Sequence, residues 1–135
     1  MRMKMYIASR WSSQCRLRDI ADRLRQEGIE VTSKWIWMSR PEDQELQEFF
    51  EKSGASRAAE DEHDIAKSDY LVLDTTDGIG RHGGMMYEAG LARGLGKRIA
   101  VVGKPVGVFD RLFMRFENWD QFIDAVRYGP VIWRV

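Results

Sequence analysis

The first 32 residues alternate strand and helix patterns, and this alternation limits the possible folds more than any other feature of the sequence. Met3 to Ala8 is an apolar run with one lysine, typical of a buried strand. Apolar residues then recur at helical spacing as far as Leu24, and serines at 12 and 13 are placed to cap this helix. Gly28 is placed to end the helix, and Ile29 to Thr32 reads as a second strand. A βαβ opening of this kind predicts a parallel sheet.

The rest of the chain continues the alternation. Ser39 to Glu42 predicts a helix start, Ser53-Gly54 predicts a break, and a further polar helix over about 55–67 leads into an apolar third strand. The later predictions are a helix over Met85–Leu95, a fourth strand over Arg98–Val102, a short fifth strand over Leu112–Phe116, and a last helix from Asn118 or Asp120 to Val126. We therefore predict one doubly wound α/β domain over residues 1–135, with ligands at the carboxyl ends of its strands.

The composition narrows the classes of partner. The chain has 135 residues, 44% of them hydrophobic and 31% charged, which fits neither a disordered nor a membrane-embedded protein. Its 21 basic and 21 acidic residues cancel, and this balance argues against a polymeric nucleic acid or an anionic membrane as partner. We expect a small-molecule ligand.

The single cysteine, Cys15, cannot form an intrachain disulfide, which favours a reducing compartment. The amino-terminal segment lacks the long apolar core of a secretion signal, and no stretch approaches the ~18 apolar residues of a membrane span. We expect a cytoplasmic protein.

No cofactor or metal is predicted. The glycine-rich loop is not followed by Gly-Lys-Ser/Thr, and the first strand is not followed by the glycines of a dinucleotide-binding turn. His63 and His82 are the only histidines, and neither has a cysteine nearby in the sequence, which argues against zinc.

The strongest local signal is a glycine pair that begins the Met85 helix. Gly83 and Gly84 follow a loop with two further glycines, and a helix start of this kind offers backbone N–H groups to an anion or an oxygen-rich ligand. Glu88 lies about one turn into that helix, where the helix dipole is expected to keep it ionised. An ionised, positioned carboxylate suits a nucleophilic glycosidase. The alternative is that Glu88 only satisfies the helix end.

Two charged segments flank the third strand. The acidic stretch from Glu60 to Asp64 is either a solvated helix face or a means of bringing one carboxylate to the sheet edge. Arg81 and His82 either hold a phosphate or keep the loop soluble.

The tryptophans also have two interpretations. Trp119 and Trp133 favour packing roles. Trp35 and Trp37 alternate in strand fashion, and they either flank a planar base or cover a sheet edge or subunit contact.

Four features, taken in order, resemble the nucleoside 2-deoxyribosyltransferase-like family, which includes a deoxynucleoside 5′-monophosphate N-glycosidase branch. They are a first strand with Tyr6, the string Glu30-Val31-Thr32-Ser33-Lys34-Trp35, the acidic helix entering Ser68-Asp69-Tyr70-Leu71-Val72-Leu73, and the run from Gly83 to Ile99. The resemblance extends over roughly Met3 to Val126, and the last run is its most specific part.

The resemblance implies a flavodoxin-like, three-layer α/β sandwich with a five-stranded, mostly parallel sheet. It also implies an enzyme that cleaves the N-glycosidic bond of a 2′-deoxynucleoside or its 5′-monophosphate and passes the sugar to another base or to water. In this chain Glu88 matches the nucleophile and Tyr6 the tyrosine that orients it. Asp61 matches the acidic residue that either helps proton transfer to the base or holds the sugar, and Asp64 is its rival. A homo-oligomer, a dimer or larger, is implied because a neighbouring subunit completes the site in several members.

Substrate contacts are expected beside this catalytic group. They are Ser9, Arg10, Trp35, Asp77, Arg81, His82, Gly83 and Gly84. Arg10 and His82 depart from the family pattern, as does Gly107 where the family has asparagine, which leaves the substrate class open. Two other hypotheses remain: a non-catalytic nucleotide-sensing module on the same fold, and a protein-interaction domain that uses exposed tryptophans.

Overall fold

The computed structural model describes residues 3–39, 45–80 and 83–128. Its strands are β1 (Met3–Ala8), β2 (Ile29–Val31), β3 (Tyr70–Asp74), β4 (Arg98–Val102) and β5 (Met114–Phe116). Its α-helices are α1 (Gln14–Gln26), α2 (Leu46–Ala66), α3 (Gly84–Gly94) and α4 (Trp119–Tyr128). Short 3-10 turns span Trp11–Ser13, Lys34–Trp37 and Phe109–Leu112.

The five strands form one sheet in the order β2-β1-β3-β4-β5, and every neighbouring pair is parallel. This is the flavodoxin-like order, so the predicted fold class is confirmed. The order reverses direction at β1 and β3, where Tyr6 pairs with Leu71 and Ala8 pairs with Leu73. Ligands of such sheets bind at the carboxyl ends of these two strands.

Helices cover both faces of the sheet. Because βαβ crossovers are right-handed, α1 lies on one face, and α2 and α3 lie on the other. Ion pairs join α4 to the α1 side, Arg23 to Asp120 at 2.6 Å and Arg127 to Glu27 at 2.7 Å. The buried core lies on both sides of β1, β3 and β4, whose residues are nearly all apolar. Since side chains alternate along a strand, Tyr6 and Asp74 project to opposite faces.

Three local predictions were wrong. Ser53-Gly54 does not break the chain, because α2 runs through it as a single helix of 21 residues. The tryptophans at 35 and 37 lie in a 3-10 turn and not in an extended segment. Ser13 precedes α1 but makes no side-chain cap, since its hydroxyl donates to Asp77.

Other boundaries agree to within about two residues. Gly28 follows α1 with φ +82°, as a terminal glycine should, and Asn118 caps α4 by accepting the Gln121 N–H at 2.8 Å. The predicted helix start around Pro41 and the packing role of Trp133 lie outside the described residues.

Candidate functional site

Tyr6, Asp61 and Glu88 come together on the face covered by α2 and α3. Tyr6 is fully buried in β1, and its hydroxyl donates a short hydrogen bond to Glu88 Oε2. Asp61 lies in the last two turns of α2, and its charge raises the pKa values of both Tyr6 and Glu88. Three segments that are far apart in the sequence therefore supply one acidic cluster.

Burial dominates the protonation of this cluster. Burial raises the pKa of Glu88 to about 8, against the hydrogen bond from Tyr6, which lowers it. Burial also raises the pKa of Asp61 to about 6, while the positive charge of Arg57 lowers it. At neutral pH this balance favours the protonated form of Glu88 over the ionised form expected from its place in the helix, because the loss of hydration outweighs the hydrogen bond from Tyr6.

Glu88 owes its position to the start of α3. Gly83 precedes the helix with φ +76°, a left-handed conformation that favours glycine. A Cβ added at Gly83 or Gly84 would meet no atom of the described residues within 4 Å. The residues before it, Arg81 and His82, lie outside the described residues.

Asp64, the rival of Asp61, has other partners. Its buried carboxylate lies 3.2 Å from Lys34 Nζ and 3.5 Å from Lys67 Nζ, and it accepts the Lys34 backbone N–H at 3.3 Å. Of the two aspartates, Asp61 is the one whose charge acts on Glu88.

The predicted substrate contacts Ser9, Arg10 and Asp77 all form hydrogen bonds within the protein. Ser9 donates to Asp74 at 2.8 Å, and Arg10 donates to the backbone carbonyl of Asp77 at 2.8 Å. The Asp77 carboxylate accepts from Ser13 at 2.7 Å and from Arg16 at 2.9 Å, and these contacts lower its pKa.

Trp35 is only 4% exposed, and its indole N–H donates to the Ile7 carbonyl at 2.9 Å. Trp11 stacks on it with ring centroids 6.0 Å apart. One face of Trp35 is therefore covered by Trp11.

The buried carboxylate of Asp74 holds several side chains in place, and this role was not predicted from the sequence. It accepts hydrogen bonds from Ser9, Arg16, Thr76 and the indole N–H of Trp119 at 2.6–3.1 Å. The available signal was its place at the carboxyl end of a strand that is otherwise apolar.

A cleft of about 640 Å³ opens beside this group, on the α1 and α4 side of the sheet. Arg16, Thr75, Lys104 and Asn118 are among its lining residues, and Tyr6, Asp61 and Glu88 are not. The cleft and the acidic cluster are therefore separate features of the same sheet.

Neither a membrane-spanning helix nor a group of metal-ligating side chains is found among the residues that the structure describes. Over 3–39, 45–80 and 83–128, no helix has the length and hydropathy needed to cross a bilayer. Within the same ranges, no three potential metal-ligating side chains cluster together.

Comparison with known proteins supports the fold. No family model matches the sequence, and no curated protein matches it. Among solved structures, the CMP N-glycosidase BcmB of Clostridium botulinum superposes with a TM-score of 0.62 at 15% sequence identity. The match covers 92% of this chain and 98% of that one. The chain therefore shares the fold of that structure.

Proposed function

We propose that the protein cleaves the N-glycosidic bond of a 2′-deoxynucleoside or its 5′-monophosphate. The observation that carries this proposal is the hydrogen bond from Tyr6 to Glu88 beside the protonatable Asp61. The shared fold with a CMP N-glycosidase and the resemblance of the Gly83–Ile99 run to the deoxyribosyltransferase-like family support it.

The first step needs both carboxyl groups. The Glu88 carboxylate attacks C1′, the bond from C1′ to the base nitrogen breaks, and its electron pair goes to the base. Asp61 donates a proton to the base nitrogen, because a nucleobase leaves poorly as an anion. Tyr6 holds Glu88 in place through its hydrogen bond.

The second step releases the sugar. A second base or a water molecule attacks C1′ of the glycosyl ester and restores the Glu88 carboxylate. Asp61, now ionised, takes the proton from the attacking nucleophile. Two displacements at the same carbon give net retention of configuration.

The proton balance of the cluster suits this sequence. With pKa values of about 6 for Asp61 and about 8 for Glu88, the two carboxyl groups together hold one proton between these pH values, mainly on Glu88. The reactive form has that proton on Asp61. Substrate binding therefore has to favour transfer of the proton from Glu88 to Asp61, while the pair still holds one proton.

The test is base release from a panel of deoxynucleosides and their monophosphates, with and without a free acceptor base. Exchange would identify a transferase, and base release alone a hydrolase. Glu88→Gln should lower the rate by about 10⁴-fold or more, because it removes the nucleophile.

Glu62→Gln is the matched control. Glu62 also accepts a hydrogen bond from a tyrosine, Tyr87, at 2.5 Å, but this pair is exposed. The control should keep wild-type activity. Undiminished turnover in Glu88→Gln would refute the proposal, and saturable nucleotide binding without any base release would favour the sensing module.

We also propose a homo-oligomer. Val108, Phe109 and Leu112 follow β4 and are highly exposed for apolar side chains, Val108 at 79%. An apolar surface of this kind is typical of a subunit contact. Sedimentation of the wild type and of Phe109→Ser would test it, since a wild-type monomer would contradict the proposal.

A further inference from the structure

Two hydrogen-bond donors near the acidic cluster lack acceptors. Trp11 Nε1 and Arg57 Nη2 are both buried, and neither has a partner among the described residues. A buried donor without an acceptor costs about as much as a lost hydrogen bond, so such groups are uncommon in folded proteins. An acceptor supplied by a ligand would satisfy both.

Both donors lie next to the proposed reaction centre. Trp11 begins the turn that follows β1, the strand that carries Tyr6. Arg57 lies one helical turn before Asp61 on α2, so the two side chains share a helix face. The guanidinium carbon of Arg57 lies 5.5 Å from the centroid of the Trp11 ring, and its charge acts on Asp61. The donors are therefore adjacent to each other and to the proposed acid.

The chemistry of this corner suits a planar ring with acceptor atoms. Trp11 is backed by the parallel ring of Trp35, and Arg57 also lies 6.0 Å from the ring centroid of Phe49. Aromatic and guanidinium planes stack on nucleobases. The two orphan groups are donors only, and a base presents matching acceptors at its carbonyl oxygens and unprotonated ring nitrogens.

We propose that Trp11 and Arg57 form the base subsite and select nucleobases that carry a carbonyl oxygen opposite these donors. This inference rests on the proposed N-glycosidase function and adds to it the class of leaving group. It also assigns the base contact to Trp11, whereas the sequence predicted that contact at Trp35.

The test compares substrates that differ by one carbonyl-to-amino exchange. Deoxyinosine against deoxyadenosine and deoxyuridine against deoxycytidine are suitable pairs, each with and without a 5′-phosphate. Wild type should prefer the carbonyl member of at least one pair. Trp11→Phe keeps a ring but removes the N–H, and it should reduce that preference about tenfold. Arg57→Met should do the same.

A second tryptophan–arginine pair provides matched controls. Arg25 lies 4.6 Å from the ring centroid of Trp37 at the surface, where Trp37 is 39% exposed. Trp37→Phe and Arg25→Met should leave the preference unchanged. An equal loss on both members of a pair, confined to phosphorylated substrates, would show that the donors bind phosphate and would overturn the base subsite.

Binding to Glu88→Gln, measured by calorimetry, separates this inference from the proposed function. If wild type releases base and both variants, Trp11→Phe and Arg57→Met, keep the wild-type preference for the carbonyl substrate, the subsite is overturned. The proposed function would still stand in that case. Absence of both release and binding across the panel would overturn both. Loss of the preference in turnover by Trp11→Phe and Arg57→Met, and in binding when each is combined with Glu88→Gln, would support the subsite.

Discussion

Two carboxylates on opposite faces of the sheet have very different surroundings. Asp74, on the α1 and α4 face, is fully buried and accepts hydrogen bonds from four side chains, one of them an arginine. Glu88, on the α2 and α3 face, accepts from Tyr6 and is near a second acid, Asp61. The hydrogen bonds to Asp74 tie three segments of the fold together, whereas burial and an acidic neighbour raise the pKa of Glu88. The first arrangement stabilises the fold, and the second leaves a group able to react.

The largest effect on stability is expected at Asp74. Asp74→Asn places an amide NH₂ among donors and removes one of the two carboxylate partners of Arg16, so it should lower the free energy of unfolding by about 3–5 kcal/mol. Urea denaturation at pH 7 measures this change. A loss below about 1 kcal/mol would contradict the structural role of Asp74.

Replacing the carboxylate of Glu88 by an amide should raise the free energy of unfolding, unlike the same replacement at Asp74. A raised pKa means that the folded protein binds this proton more tightly than the unfolded chain does. The stabilising effect is complete below the unfolded pKa, near 4.5, and is lost as pH rises through about 8. Wild type should therefore lose up to about 1.4 kcal/mol per pH unit from this group.

Glu88→Gln should remove that contribution, so that the variant is more stable than wild type at pH 8.5 and similar at pH 5. Asp61 adds a slope of the same sign up to about pH 6, and the variant keeps it. Parallel stability curves for the two proteins between pH 6 and 8 would show that Glu88 is ionised throughout.

The pH dependence of turnover tests the shared proton directly. With one proton required on the pair, kcat/KM should follow a bell with apparent pKa values of about 6 and about 8. Activity should fall about tenfold per pH unit outside these limits. Asp61→Asn should convert the bell into a rise to a plateau, at a lower rate, because only Glu88 still titrates.

Tyr6→Phe should have a smaller effect on turnover than Glu88→Gln. The Tyr6 hydroxyl lowers the pKa of Glu88, so its removal should move the alkaline limb of the profile to higher pH. The rate at pH 7 should fall about tenfold, an amount typical of one lost positioning hydrogen bond. An unchanged limb with a lower rate would indicate that Tyr6 only packs.

The smallest effect is expected at the exposed tyrosine. Tyr87 is 61% exposed and donates to Glu62, and this contact raises the pKa of Tyr87. Tyr87→Phe should change the free energy of unfolding by less than about 0.5 kcal/mol and leave kcat/KM unaltered. Because Tyr87, like Tyr6, donates to a glutamate, Tyr87→Phe is a control for Tyr6→Phe. A tenfold loss of activity would show that Tyr87 belongs to the site and is not a valid control.

The order of strands and helices could be predicted from the amino-acid sequence. Their patterns are local: β1 and β4 have the predicted bounds, and the glycine at 28 ends α1 as expected. The break predicted at Ser53-Gly54 failed because neighbouring residues of α2 continue the helix, and weak local propensity is readily overridden.

The role of each polar group, in contrast, depends on contacts that form only in the folded chain. The bond from Tyr6 to Glu88 joins residues 82 positions apart, and that from Arg16 to Asp74 joins residues 58 apart. Such partners leave no periodic signal in the sequence. The folded sheet therefore determines which carboxylate meets donors and which loses its hydration, and through this the protonation state of Glu88. The same placement brings Asp61 to the cluster and Asp64 to its two lysines.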